Sequence, residues 1–310
     1  MSRLRVATYN VYLGADLTLL FGVADLDELA KRAEVVREQL DATRSVDRAR
    51  AVAAVLARER PDLAGLQEVS RWSSLRTEGG DEQVFVDFLP ALLSALEELG
   101  CAYDAHAVHP SFSGSMPVSG SEWVGLVGVN VTLVRRGGPV VVEEETTAPF
   151  AAVFDLDTGI EGVTFPVERG WGRVDARVAD RPVRFVATHT EAYDAQVRAA
   201  QRDELLDRNG DVDGAVIVVG DLNATPDAVG MPETWTDAWT RGGGDGFTFG
   251  QSADLRNEET TMRERIDYVW VRDADVLSAH VVGDRLDDRT TTEPRLWPSD
   301  HAGVIADLEV

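Results

Sequence analysis

Apolar and polar residues alternate in several short runs along the chain, a pattern that predicts strands with one buried face. The clearest runs are "LRVATYNVYL" (4–13), "VGLVGVNVTLVRR" (124–136), "RIDYVWVRD" (265–273) and "GVIADLEV" (303–310). Two further runs, "DLAGLQEVS" (62–70) and "GAVIVVGDLN" (214–223), are almost continuously apolar and are typical of buried core strands. Residues 171–192 predict a hairpin whose turn is "ADRP".

Between these runs, apolar residues recur at helical spacing over 25–43, 45–61, 82–100 and 194–208. Ser45 is a candidate N-cap for the second helix, and Pro61 ends it. The Ser-, Gly- and Pro-rich stretch 109–123 predicts a loop, and the glycine-rich stretch 241–250 predicts a loop near a functional site. Because strands, hairpins and helices alternate without a linker, the order favours an α/β fold with mixed sheets in one domain, 1–310.

The charge of the chain limits the partners that it attracts. Acidic residues outnumber basic ones by 54 to 30, which gives a formal net charge of -24, and Lys31 is the single lysine. Such a surface repels phosphate backbones at long range. Nucleic acid is therefore a disfavoured partner, although a local basic groove would still permit it.

Cysteine usage and hydropathy narrow the class further. A single cysteine, Cys101, excludes an internal disulfide and a cysteine-built zinc site, and we expect it to be buried. No apolar run approaches the ~20 residues that a membrane span needs. Strand-like sequence starts at Leu4, which leaves no room for a secretory signal, so we expect a cytoplasmic protein. We also expect the protein to be a monomer.

Polar side chains recur where the predicted strands end. Asn10 follows "RVATY", Glu68 follows "LAGLQ", His189 follows "VRFVAT", Asp221 and Asn223 follow "VIVVG", and Asp300 and His301 precede the last strand. Asp267 lies inside "RIDYVWV", where an unpaired carboxylate would carry a large desolvation cost, so it needs a partner such as an imidazole. Each residue alone is typical of a turn or cap, but their repetition favours one shared site.

These residue types fit one reaction. Glu68, Asp300 and Asn10 offer hard oxygen ligands suited to Mg²⁺ or Mn²⁺. The two histidines beside carboxylates suit proton transfer. Asp221 and Asn223, two positions apart, supply one hydrogen-bond acceptor and one amide donor for a phosphate. Together they favour metal-assisted attack of water on a phosphoester. The nucleophilic-serine alternative lacks a Gly-x-Ser-x-Gly elbow.

Six segments together resemble the endonuclease/exonuclease/phosphatase superfamily and follow that family's order. They are "TYNVYLGADL", "LAGLQEVS", "RGWGRVDA" with "VATHTEA", "VVGDLNATPD", "GFTFGQ" with "RERIDYVWV", and "WPSDHAGVIADL". The resemblance implies a four-layer α/β/β/α sandwich of two packed mixed sheets with helices on both outer faces. It also implies a metal-dependent phosphohydrolase related to deoxyribonucleases and sphingomyelinases, with its site at one end of the sheets.

The resemblance implies roles for the individual residues as well. By position, Glu68 resembles the principal metal ligand, and Asn10 and Asp300 lie near the metal and the phosphate. His301 resembles the base that takes a proton from water, and Asp267 resembles the carboxylate that orients this base.

Further positions match the groups that hold the substrate. Asp221 and Asn223 resemble the pair that holds the phosphate and the nucleophile, and His189 resembles a second histidine that donates to the phosphate or the leaving group. Glu122 in "GSEWVGL" is the candidate partner of that histidine, and Arg169 in "ERGWGR" matches a family position near the site.

The chain departs from the family pattern at about 14–43, which is longer than in short members and which we interpret as an inserted helical segment. Its apolar residues Leu17, Leu19, Leu20 and Phe21 either pack as core of a surface elaboration or line a pocket beside the metal. The basic and aromatic loops with which nuclease members grip DNA have no clear counterpart.

The sequence therefore favours a divalent-metal-dependent phosphoester hydrolase, a phosphodiesterase or a phosphatase, for a small or lipid-like substrate. A nuclease that cleaves DNA or RNA is the alternative within the same chemistry. A catalytically inactive member that binds phosphate ligands is the alternative of another class.

Overall fold

Two β-sheets stacked face to face form the centre of the computed structural model, which describes residues 2–75, 81–118, 122–159, 164–210 and 212–310. The strands are β1 (Arg3–Asn10), β2 (Leu63–Leu75), β3 (Glu82–Asp87), β4 (Tyr103–Pro117), β5 (Trp123–Arg135), β6 (Val140–Pro149), β7 (Phe154–Asp157), β8 (Thr164–Val167), β9 (Gly170–Val178), β10 (Arg181–His189), β11 (Ala215–Asp221), β12 (Thr236–Asp237), β13 (Asp267–Arg272), β14 (Asp275–Val282) and β15 (Gly303–Glu309). The helices are α1 (Leu26–Ala42), α2 (Ser45–Glu59), α3 (Phe88–Glu98) and α4 (Ala195–Asn209), with short 3-10 helices at Leu17–Leu20, Ala238–Arg241 and Leu286–Asp288.

Both large sheets are mixed. The first has the order β14-β15-β1-β2-β5-β4, with β3 paired to β2, and the second has the order β12-β13-β11-β10-β9-β6. At their centres β1 runs parallel to β2 and β10 runs parallel to β11, whereas the neighbouring pairs are antiparallel. The carboxyl ends of β1, β10 and β11 carry Asn10, His189 and Asp221.

Apolar side chains from the facing sides of the two sheets form a shared core. Val6 and Leu63 of the first sheet pack in one buried cluster with Phe185 and Ile217 of the second. Gly65 allows this close approach, because a Cβ atom there would lie 2.5 Å from a methyl group of Val219. The two sheets therefore hold their strand ends in a fixed relation.

Helices cover both outer faces, so the predicted four-layer α/β/β/α class is confirmed. Buried residues of α2 and α3, such as Leu56 and Leu92, pack on the outer face of the first sheet. Leu205 of α4 packs with Val186 and Val216 on the outer face of the second. Among the described helices, none combines the length and the hydropathy that a bilayer span requires.

Two of the predicted elements differ from the structure. The helix expected over 82–100 is confined to α3, and Glu82–Asp87 forms β3 instead. The alternating residues of β3 pair with the far end of β2, so tertiary pairing overrides the local helical pattern. Of the loop expected over 109–123, the part up to Pro117 is strand, because β4 continues to this residue in a long antiparallel pair with β5, and residues 119–121 lie outside the described residues.

The 14–43 segment contains the 3-10 helix Leu17–Leu20 and α1. Leu40 of α1 packs with Trp72 and Val124 in a cluster separate from the core between the sheets. The predicted N-cap Ser45 is the first residue of α2 instead, after Arg44 with a left-handed backbone. Cys101 is buried and free, as expected.

Arg48 of α2 is a fully buried cation that ties separate segments together. Its guanidinium donates hydrogen bonds to the backbone carbonyl oxygens of Thr43, Val11, Tyr12 and Pro298. These carbonyl groups belong to the end of α1, the chain after β1 and the chain before β15. Arg48 therefore clamps the loops that flank Asn10 and Asp300.

Replacing Arg48 with alanine should lower the free energy of unfolding by at least about 3 kcal/mol, because the buried carbonyl oxygens would lose their donor. Chemical denaturation followed by circular dichroism measures this change. Arg50→Ala is the matched control, since Arg50 lies on the same helix with a side chain 68% exposed, and its change should stay within about 0.5 kcal/mol. Equal midpoints for the two variants would show that Arg48 is not a clamp.

Candidate active site

The predicted site residues come together at the end of the sheets where β1, β10 and β11 stop. Asn10, His189 and Asp221 occupy the last positions of these strands, and Asp267 is the first residue of β13. Asp267 pairs across the ladder with Asp221, which is why both carboxylates lie at the same edge. All four residues are at most 2% exposed.

Glu68 reaches this edge through a β-bulge. The pairing of β2 with β5 shifts between Leu66 and Val69, and Glu68 has a backbone φ of 58°. This left-handed conformation costs a non-glycine residue about 1–3 kcal/mol and is frequent at functional sites. The Glu68 carboxylate accepts hydrogen bonds from Asn10 Nδ2 at 3.0 Å and from the Leu13 backbone N–H at 2.9 Å.

Asn10 links the two sheets. Its Nδ2 donates to Glu68 in the first sheet and to Asp221 Oδ2 in the second, at 3.0 Å in each case. Its Oδ1 accepts from the Tyr12 backbone N–H at 3.0 Å, a partner that fixes the orientation of the amide. Asn10 is therefore a bridge between carboxylates, with one acceptor lone pair left for a ligand.

His301 is paired with Asp267, as expected from the buried position of that aspartate. His301 Nδ1 lies 2.8 Å from Asp267 Oδ2, which fixes the tautomer and leaves Nε2 toward the cavity. Burial by itself lowers the pKa of His301, but Asp267, Asp221 and Asp300 outweigh burial and raise this pKa well above its usual value. The ring also contacts Phe249, with centroids 4.8 Å apart.

Asp221 Oδ2 lies at the centre of the polar groups. It is 3.5 Å from His189 Nε2 and 3.7 Å from His301 Nε2. Its second oxygen accepts the backbone N–H of Asn223 at 2.9 Å. Burial, together with the charge of Asp267, raises the pKa of Asp221 to about 6. Asn223 has a left-handed φ of 47° and donates from its side-chain amide to the Thr190 carbonyl oxygen.

His189 has the opposite environment from His301. Burial lowers its pKa well below the usual value, and the charges of Arg169 and His301 lower it further. Arg169 NH1 lies 3.2 Å from His189 Nδ1. The fully buried Glu191 lies on the other side of this arginine, with Oε2 3.8 Å from Arg169 Nε.

Glu122, predicted as the partner of His189, lies elsewhere. It is exposed, its backbone carbonyl accepts a hydrogen bond from Val118, and it is absent from the described lining of the cavity around His189. The carboxylate nearest His189 is that of Asp221, and the one beside Arg169 belongs to Glu191, only two residues after the histidine. Trp171, beside Arg169 in the sequence, packs in the buried cluster beneath α4.

The tightest group of potential ligand atoms in the described part of the chain is not the set that the sequence predicts as cation ligands. Ligand atoms of Asp221, Asp267 and His301 lie within 4.8 Å of one another. Asp300 lies beside them, and burial followed by the charge of Glu68 raises the pKa of its carboxyl to about 7. Asp267 Oδ1 is buried without a hydrogen-bond partner. Crowded, desolvated carboxylates such as Asp300 and Asp221 fit a hard divalent cation.

The site opens into a cavity of about 930 Å³. Its polar end contains the predicted residues Glu68, His189, Asp221, Asn223, Asp300 and His301, with Arg169 and Arg263 as its basic residues. Leu17, Leu20 and Phe21 of the 14–43 segment line the cavity as well, whereas Leu19 is exposed. The apolar residues of this segment therefore line a pocket beside the carboxylates.

Sequence reasoning missed three residues of the site. Arg48 falls on the apolar stripe of α2, three residues after Ser45 and four before Val52, and a charge in that position was a usable signal. Glu191 and Phe249 carry no such local signal, because their roles depend on the contacts with Arg169 and His301.

Comparisons with known proteins agree with the fold described above. Similar solved structures include an endonuclease/exonuclease/phosphatase family protein from Leptotrichia buccalis (TM-score 0.62, 15% identity, 99% of this chain and 100% of that chain). They also include D. rerio TDP2 complexed with single strand DNA product (TM-score 0.60, 17% identity, 100% of this chain and 100% of that chain). A third is a mannosyl-6-phosphatase from Bacteroides thetaiotaomicron (TM-score 0.59, 16% identity, 99% of this chain and 100% of that chain). At these identities the likeness shows the fold alone.

The search of curated protein sequences found no match. The family assignment comes instead from the sequence itself, since residues 7–301 match the Endonuclease/Exonuclease/phosphatase family. This match covers nearly the whole chain, including every strand end that carries a site residue. The chain belongs to the endonuclease/exonuclease/phosphatase family.

Proposed function

We propose that this protein is a divalent-metal-dependent phosphoester hydrolase, a phosphodiesterase or a phosphatase, in which His301 activates the attacking water. Members of its family hydrolyse phosphoester bonds. The observation that carries the proposal is the His301–Asp267 pair at 2.8 Å, whose free imidazole nitrogen faces Asp221 at the polar end of the cavity.

Glu68 and Asp300 are the residues that would hold the cation, with the remaining Asn10 lone pair beside them. When bound, Mg²⁺ or Mn²⁺ would polarise a phosphoryl oxygen and offset the negative charge of these carboxylates. Burial raises the pKa of Asp300 to about 7 and outweighs the charge of the buried Arg48, which lowers this pKa.

His301 takes the proton from the attacking water. Asp267 holds the imidazole by Nδ1, so Nε2 is the atom that accepts the proton, and the carboxylate stabilises the imidazolium that forms. Asp221 Oδ2, 3.7 Å from this nitrogen, accepts a hydrogen bond from the same water and so aligns it.

The remaining polar groups hold the phosphate and the leaving group. The second amide hydrogen of Asn223 is free for a phosphate oxygen, since its backbone N–H and one amide hydrogen are already bonded. His189 donates to the phosphate or the leaving group, and Arg169 behind it offers a positive charge. A neutral His189 fits this donor role, because burial keeps its pKa low.

We further propose a small or lipid-like substrate. The net charge of -24 and the apolar residues of the cavity support this choice over a nuclease. An inactive phosphate-binding protein is disfavoured by the complete set of proton-transfer groups. The cytoplasmic location, the monomeric state and the single domain stay predictions of the sequence.

His301→Ala should lower turnover of a chromogenic phosphodiester by about two to four orders of magnitude, the usual worth of a positioned base. Steady-state kinetics with Mg²⁺ measures the loss. His280→Ala is the matched control, because His280 lies on β14 and pairs with Glu59 outside the cavity. Equal rates for the two variants would remove His301 from the mechanism.

Glu68→Gln should raise the Mg²⁺ concentration that gives half-maximal activity by at least about tenfold, because a charged oxygen ligand becomes neutral. Titration of the chelator-treated protein with Mg²⁺ measures this shift, and circular dichroism checks the fold. Glu82→Gln, at the surface ion pair with Arg71, is the control. An unchanged metal requirement in Glu68→Gln would exclude this residue as a ligand.

Plasmid DNA should be a poor substrate at physiological salt, and the log of its apparent affinity should not fall steeply with the log of salt concentration. Gel assays of nicking with Mg²⁺, beside turnover of a small phosphodiester, compare the two substrate classes. Rapid nicking at low enzyme concentration would favour the nuclease instead.

A further inference from the structure

The cavity in front of the catalytic residues continues into an apolar region that the proposed chemistry does not use. Its volume of about 930 Å³ lies near the top of the range of about 300–1,000 Å³ that is usual for ligand pockets. We call the region lined by Leu20, Phe21, Phe112, Met116, Leu156 and Phe165 the apolar arm. The arm and the catalytic residues belong to one continuous cavity.

Three parts of the chain meet to build the apolar arm: the 14–43 segment, β4 and the β7–β8 hairpin. Phe112 of β4 and Phe165 of β8 pack together with ring centroids 5.3 Å apart. Phe21 contacts Tyr193 edge to face at 5.2 Å. Aromatic pairs therefore fix the walls of the arm, which favours a preformed binding site.

Charged and apolar lining residues occupy different parts of the cavity. Among the described lining residues, the charged groups gather at the catalytic end, apart from Asp16 of the 14–43 segment. The Asp16 carboxylate is occupied by hydrogen bonds from the backbone N–H and the hydroxyl of Thr18. The arm thus suits the apolar part of a ligand whose charged part lies at Asp300 and His301.

Hydration of the exposed apolar walls is unfavourable, and a hydrocarbon group that displaces this water is stabilised. Because the arm opens directly from the catalytic groups, its occupant is continuous with the group that reacts. This continuity distinguishes the arm from a surface patch that binds another protein.

We propose that the apolar arm binds a hydrocarbon chain attached to the phosphate of the substrate. The phosphate then lies at Asp300 and His301, and the chain extends between Leu20 and Phe165. This inference rests on the proposed function and names its substrate class, an amphiphilic phosphoester with an alkyl or acyl chain. With a net charge of -24, the protein takes this amphiphile from solution rather than from an anionic bilayer.

Alkylphosphonates from butyl to decyl test the arm without turnover, because their carbon–phosphorus bond is not an ester. Calorimetric titration of the wild-type protein with each phosphonate, in the presence of Mg²⁺, should show affinity rising about fourfold per methylene group until the arm is full. Equal affinity for butyl- and decylphosphonate would contradict the proposal that the arm binds the hydrocarbon chain, even if phosphoesters are hydrolysed. Chain-dependent binding without hydrolysis of any phosphoester would support the arm and reject the proposed function.

Two leucines of one 3-10 helix give a matched pair of variants. Leu20→Asp should weaken decylphosphonate binding at least about tenfold, because it places a charge in the arm. Leu19→Asp should leave this binding unchanged, since Leu19 is exposed and outside the described lining of the cavity. Thermal unfolding checks that both variants fold. The same loss in both, or in neither, would contradict the assignment.

Gly114→Ala is a second test that does not introduce a charge. A Cβ atom at Gly114 would lie 2.9 Å from the Phe165 ring, so the methyl group narrows the arm. The variant should bind alkylphosphonates with shorter alkyl chains best, compared with the wild-type protein. An unchanged dependence of affinity on chain length would show that the alkyl chain binds outside the arm.

A vesicle-binding assay tests whether the hydrocarbon chain comes from a dissolved molecule or from a bilayer. The protein should bind dissolved decylphosphonate and should not sediment with vesicles that contain phosphatidylglycerol. Sedimentation with these vesicles would overturn the assignment to a dissolved amphiphile.

Discussion

The buried guanidinium of Arg48 is the contact on which the geometry of the site depends. It bonds to carbonyl oxygens in three segments, which follow β1, end α1 and precede the Asp300–His301 pair. Burial lowers the pKa of Arg48 to about 10, against the raising effect of Tyr12 and of the nearby acidic groups. One cation thus orders the loops around the site and offsets part of their negative charge.

The two histidines show how one fold prepares opposite proton affinities a few ångströms apart. Both are buried, and both lie within 4 Å of the same Asp221 oxygen. His301 has Asp267 behind it, which raises its pKa, whereas His189 has Arg169 behind it, which lowers its pKa further. The partner on the far side of each ring therefore suits one histidine to accept a proton and the other to donate a hydrogen bond.

The 14–43 segment connects the chemistry to the choice of substrate. One side of it packs on Trp72 and Val124, and another side lines the cavity. Leu17 and Leu20 pack against this cluster and also line the cavity, so the core and pocket interpretations both hold for them, whereas Leu19 is exposed. Because its start follows directly from the β1 end that carries Asn10, the pocket that it lines lies beside the catalytic residues.

Sequence alone determined the central strands and the polar residues at their ends, because these depend on local periodicity and on the cost of burying an unpaired Asp267. The four-layer class and the pairing of His301 with Asp267 were implied by the resemblance to a known family. Tertiary structure alone decided that 82–87 pairs with β2, and that Glu191 rather than Glu122 lies beside Arg169. It also decided that β4 and the β7–β8 hairpin complete the apolar arm. Such contacts join positions far apart in the chain, and no local pattern encodes which distant surfaces will meet.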